Sequence, residues 1–85
     1  MTDKLLKMLK IIAVMQWTQR DYQTRHGKPV AYPFTAYDVR SIVVLRRDPL
    51  DVIFITSSGQ VYNNKGERET VLRNWDKLPG AERID

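Results

Sequence analysis

The chain has 85 residues, 14 Lys and Arg against 10 Asp and Glu, a net charge of +4, 42% apolar residues and no cysteine. This length predicts a single domain, residues 1–85, with a modest core, and the apolar fraction argues against disorder. The missing cysteine excludes a disulfide framework, a zinc–thiolate site and a cysteine nucleophile, and it fits a reducing, cytoplasmic setting.

The positive balance, with a pI near 9.6, matches the electrostatic footprint of a nucleic-acid binder. It also matches a charge carried for solubility alone. The basic residues are spread along the chain.

At the N-terminus, MTDKLLKMLKIIAVMQW contains an unbroken apolar run only at residues 11–15. A secretory core needs roughly 7–15 apolar residues and a membrane span about 20, so no membrane association is expected. Leu5, Met8, Leu9, Ile12 and Met15 recur at helical spacing, which predicts a helix over residues 3–16. Thr2 or Asp3 can cap its first turn. Lys4, Lys7 and Lys10 lie beside that stripe, either facing phosphate or forming a solvated flank. Residues 11–14 are apolar nearly all round, so this half should be buried on more than one side.

Residues 17–28 are polar, and Gly27 and Pro29 predict a turn or irregular stretch. Residues 30–37 read as an edge strand because Pro33 breaks them. Tyr22, Tyr32, Phe34 and Tyr37 cluster here beside cations. Such aromatics either stack on bases or cover a core.

Residues 39–47 and 51–56 are the two confident strands, joined by the turn Asp48-Pro49-Leu50-Asp51. A turn at Ser57-Ser58-Gly59 leads to a short strand from Gln60 to Tyr62, and residues 63–66 form a loop. A second helix is expected over residues 67–78, with Val71, Leu72, Trp75 and Leu78 on one face. Asn64 with Glu67, or Thr70, would cap it, and Pro79-Gly80 would stop it. The tail should be loosely held. The fold class expected is therefore α+β: a small antiparallel sheet around a central hairpin at about 39–62, with a helix at about 3–16 and another at about 67–78.

Neither hairpin strand alternates cleanly with polar residues. Val52, Phe54 and Thr56 point one way and Ile53 and Ile55 the other, while Ile42 and Val44 oppose Val43 and Leu45. Each buried Val or Ile contributes roughly 1.5–3 kcal/mol, so the second face needs a cover. Either a helix packs on each side, or Ile53 and Ile55 meet a partner, as a homodimer or a host protein.

No catalytic constellation stands out. His26 is the only histidine, and it sits in a Gly/Pro-flanked stretch. Asp48, Asp51, Glu67, Glu69 and Asp76 lie near turns and helix starts, where carboxylates cap and oppose dipoles. No phosphate-cradling glycine loop is present. No enzyme, cofactor, metal site or small-molecule substrate is expected.

Ile42 to Leu45, the stretch TSSGQVY from Thr56 to Tyr62, and Val71 to Leu78 together resemble the first half of the LytTR DNA-binding domain. That family places a strand, a turn, a strand ending in a T-x-x-G-x-x-Y-like turn and a Leu-spaced helix in this order. Arg83-Ile84 would stand at the start of its last motif. The resemblance covers residues 39–85, about half of the chain. The family's His-Arg-Ser-like motif and later strands have no counterpart here, and neither does the N-terminal helix. The resemblance implies DNA contact near Arg46-Arg47, the turn after the first strand.

Independently of that resemblance, two arginines at a hairpin tip can fork onto phosphate or guanine, or they can pair with Asp48 and Asp51. Lys65 and Arg68 occupy the next loop. The sequence therefore supports a small non-enzymatic nucleic-acid-binding regulator, of transcriptional type, using Arg46, Arg47, Lys65 and Arg68. The alternative is a compact phage- or mobile-element-type protein that binds and modulates a host protein.

Overall fold

The computed structural model describes residues 3–69 and 82–84. Helix α1 spans Asp3–His26 and is followed by an irregular strap, a short 3-10 helix at Ala36–Asp38 and four strands: β1 Val39–Arg47, β2 Leu50–Thr56, β3 Val61–Asn63 and β4 Glu82–Ile84. They form one antiparallel sheet in the order β3-β2-β1-β4. The α+β class and the central hairpin follow the expectation. None of the described helices is long and apolar enough to cross a membrane.

Helix α1 runs ten residues past its expected end at Gln16. The apolar period fades there, but side chains one turn apart continue the helix. Arg25 pairs with Asp21 at 3.1 Å, and the Tyr22 and His26 rings lie 4.3 Å apart, both at i,i+4 spacing. Gly27 ends the helix with φ of 78°, its N–H donating to the Gln23 carbonyl at 2.8 Å. Glycine reaches this left-handed geometry without steric cost.

The expected edge strand at residues 30–37 does not form. The Gln19 carboxamide accepts the Val30 N–H at 2.7 Å and donates to the Val30 carbonyl at 3.0 Å. A side chain of α1 thus supplies the bonds a neighbouring strand would have made. The edge beside β1 is taken instead by β4, which pairs Ile84, Arg83 and Glu82 with Ile42, Val43 and Val44 of β1. The loosely held tail therefore contains an ordered strand.

The helix expected over 67–78 does not begin at 67. Residues 67–69 run alongside β3: the Asn63 N–H donates to the Glu67 carbonyl and the Glu69 N–H to the Val61 carbonyl. The expected Asn64–Glu67 cap is replaced by Asn63, whose side-chain oxygen accepts the N–H groups of Lys65 and Glu67. The rest of that expected helix, residues 70–78, lies outside the described residues.

The two faces of the hairpin divide as strand alternation requires. Ile42, Val44, Leu50, Val52 and Phe54 pack with Ile11 of α1 and Phe34 of the strap. Val43, Ile53, Ile55 and Val61 form a second cluster on the other face. Two register shifts in β1, between Val39 and Ser41 and between Val44 and Arg46, have the form of bulges. The first lets Val39 and Ile42, three residues apart, share the α1 face.

Phe54 is fully buried, with the rings of Tyr32 and Phe34 each 5.3 Å away. Phe34 in turn lies 5.0 Å from both Tyr32 and Tyr62. Phe54→Ala should cost about 3–5 kcal/mol, or leave the chain unfolded in buffer, while Tyr37→Ala, at an exposed ring, should stay within about 0.5 kcal/mol. Urea denaturation followed by circular dichroism compares them. Equal midpoints would contradict this account of the core.

Candidate functional site

The end of the hairpin and the C-terminal turns of α1 enclose a cleft of about 360 Å³. Asp21, Tyr22, Arg25 and His26 come from α1; Arg46, Pro49, Leu50 and Asp51 from the hairpin; Asn63, Asn64, Lys65 and Glu69 from the segment around β3. The extension of α1 builds one wall, because Tyr22, Arg25 and His26 stand three and four residues apart on one helical face. The 63–66 turn builds the other. Its Gly66, with φ of 79°, sits so close to the strap that a Cβ would meet the Ala31 carbonyl oxygen at 2.9 Å. The same turn donates the Asn64 amide to the Leu50 carbonyl at 3.2 Å.

Four cations were expected to act together, and the fold separates them. Arg46 and Lys65 share the cleft. Arg46 is cross-strand from Asp51, and its Nε donates to the Pro49 carbonyl at 3.3 Å. Arg47 makes two hydrogen bonds to Glu82 of β4, at 2.8 and 3.0 Å, and its guanidinium lies 5.5 Å from the Trp17 ring centroid. That pair is more than half exposed on both sides, so it contributes little stability, but it fixes where Arg47 stands. Arg68, exposed on the segment bridging to Tyr62, is not among the cleft-lining residues.

The charge of the cleft is mixed. Arg25, Arg46 and Lys65 face Asp21, Asp51 and Glu69 within the same lining. The cations and His26 are exposed, whereas the three carboxylates are only partly so. The cations therefore form the outer rim. Tyr22, Arg25 and His26 were not anticipated as part of a site. The signal that could have found them is the Asp21–Arg25 and Tyr22–His26 spacing, which fits a continuing helix.

Ile53 and Ile55, the expected partner contacts, are 0% and 5% exposed. Both are buried within the single chain, so neither offers a free surface to a second molecule. The aromatics also divide. Tyr32 and Phe34 pack in the core, Tyr22 lines the cleft, and Tyr37 is 84% exposed. Among the described residues no group of three or more His, Asp or Glu could hold a metal ion.

Comparison with protein-family models, with curated proteins and with solved structures gives no match for this chain.

Beneath the cleft, Tyr32 joins α1 to the loop. Its hydroxyl shares a hydrogen bond with Thr18 and donates to the Asn64 carbonyl at 3.3 Å. Burial pushes its pKa up to about 12, and the Thr18 hydrogen bond pulls it partly back. The unfolded chain ionises near 10. The unfolded state then loses its proton first, so stability is intact below about pH 10 and falls as pH rises toward 12. Spectrophotometric titration of tyrosinate should show one late-ionising group that Tyr32→Phe removes. A Tyr32→Phe chain retaining that late step would contradict the assignment.

Proposed function

We propose that this chain is a small, non-enzymatic nucleic-acid-binding regulator that meets a phosphate backbone along the rim of the α1–hairpin cleft. The observation that carries this reading is the convergence of Arg46 from the end of β1 and Lys65 from the 63–66 turn with Arg25 and His26 on one cleft. Exposed cations held at fixed points on a rigid rim suit phosphate contact, which positions a protein without reading sequence. The paired rings of Tyr22 and His26, 4.3 Å apart, offer a surface on which an unpaired base can stack. The net charge of +4 and the resemblance of the hairpin segment to a LytTR-type domain point the same way.

This reading revises the contact set. Arg46 and Lys65 remain primary contacts, and Arg25 joins them. Arg47, tied to Glu82 and Trp17, serves the framework. Arg68 reaches only backbone that extends beyond the cleft. The three carboxylates orient the rim and hold down its affinity.

A second reading, a compact phage- or mobile-element-type protein that binds and modulates a host protein, is favoured by the charge count of the cleft. Three carboxylates against three permanent cations suit the mixed charges of a polypeptide better than uniform phosphate.

Fluorescence anisotropy with labelled duplex and single-stranded DNA, across a salt series, tests the first reading. Affinity should fall linearly in log–log form, and Arg46→Ala and Lys65→Ala should each reduce the slope by about 1. Arg47→Ala should leave the slope unchanged. No binding at low salt, or a slope indifferent to both substitutions, overturns the proposal and leaves the host-protein reading in its place.

A further inference from the structure

The cleft between α1 and the hairpin sorts its polar groups by depth. Arg25, His26, Arg46 and Lys65 are exposed, whereas Asp21, Tyr22, Asp51, Asn64 and Glu69 are only partly so. The hydrogen bonds sort them by kind. Arg25 and Arg46 spend Nε on Asp21 and on the Pro49 carbonyl. Among the described residues both keep their terminal guanidinium N–H groups, and Lys65 keeps its ammonium. Deeper in, Asp21 accepts from Arg25 through Oδ2 at 3.1 Å, which leaves Oδ1. Asn64 donates Nδ2 to the Leu50 carbonyl, which leaves its carboxamide oxygen. The rim therefore offers donors, and each of the two walls offers an acceptor below it.

From this arrangement we infer that the cleft holds one unpaired nucleotide of a single strand, base inward and phosphates on the rim, and that it selects bases carrying an amino group. Such a ligand rests on the nucleic-acid reading of the cleft and narrows it to single strands. A phosphate is kept from moving inward, because Asp21, Asp51 and Glu69 place three negative charges there. An uncharged base is not. At about 360 Å³ the space lies at the small end of ligand sites, enough for one nucleotide and too little for a duplex. Bases inside a duplex stack on each other and leave the Tyr22 and His26 rings nothing to bind. An unpaired base presents its face to such rings and its edge to side chains.

The acceptors decide which base. Cytosine, adenine and guanine carry an amino group that donates to a carboxylate or amide oxygen. Uracil and thymine offer a single ring N–H flanked by two carbonyl oxygens. Beside Asp21 Oδ1 and Asn64 Oδ1, an amino group completes a bond, whereas a carbonyl brings two acceptors together. Cytosine and uracil are the informative pair, since their rings are of one size and exchange an amino group for a carbonyl oxygen at one position. The carboxylates that hold down phosphate affinity are then the groups that keep phosphate out and admit the base.

Fluorescence anisotropy of the full chain with labelled oligodeoxycytidine, oligodeoxyuridine and a mixed-sequence duplex of equal length tests this, in mildly alkaline buffer where neither homopolymer pairs with itself. Both single strands should bind more tightly than the duplex, and oligodeoxycytidine about tenfold more tightly than oligodeoxyuridine. Tyr22→Leu should weaken single-strand binding about tenfold and leave duplex affinity where it was. Asp21→Ala should strengthen binding of both homopolymers, by removing a negative charge, and bring the ratio between them toward unity. Circular dichroism checks that both variants keep the fold. A duplex bound as tightly as the single strands, equal affinity for the two homopolymers, or an Asp21→Ala chain with the full preference overturns the inference. The phosphate-rim reading then stands if Arg46→Ala and Lys65→Ala still lower the salt slope. No binding of any of the three ligands overturns both.

Discussion

Burial of the β1–β2 hairpin on both faces is the constraint from which the rest of the molecule follows. A two-stranded ribbon alone is marginal in water. Here Ile42, Val44, Val52 and Phe54 point to one side and Val43, Ile53 and Ile55 to the other, all at most 5% exposed. On the first side the cover comes from α1 and from the aromatic strap, whose Phe34 lies among the rings of Tyr32, Phe54 and Tyr62. The strap carries no strand partners of its own. Gln19 of α1 satisfies the Val30 backbone, so the helix and the strap act as one lid.

That lid sets where the polar groups end up. Because α1 continues to His26, its last turns overhang the hairpin tip and turn an exposed loop into a walled cleft. Consecutive strand residues point to opposite faces, and the register shift between Val44 and Arg46 sets which face each takes, so two consecutive arginines have different fates. Arg46 joins the cleft, while Arg47 crosses to Trp17 and the β4 edge. The same helix leaves its first three turns with a packed side and an apolar outer side. One element thus provides core cover and one wall of the cleft.

Much of this was legible in the residues. The two strands, the turn between them, the third strand within one residue and the helical stripe at Leu5, Met8, Leu9 and Ile12 follow from local periodicity, which depends only on neighbours in the chain. The site was half legible. Arg46 and Lys65 could be picked out as exposed cations beside turns, but their separation from Arg47 and Arg68 could not. A strand register shift and a salt bridge to Glu82, 35 residues away, leave no mark in local sequence. Residues 30–37 carry the valine and aromatic residues of a strand, and Pro33 only confines such a strand to an edge. The bonds that decided otherwise come from a glutamine eleven residues earlier.

The sequence by itself determined the α+β class, the absence of thiol chemistry, the positive balance and the apolar character of both hairpin faces. These are properties of composition and of spacings within a few residues. Only the tertiary structure decided that Ile53 and Ile55 are core, that Leu5, Leu9 and Ile12 of α1 are exposed, and that Tyr22, Arg25 and His26 stand beside Arg46 and Lys65. The physical reason is the same in each case. Periodicity says which side chains share a face, whereas long-range packing alone says what that face meets.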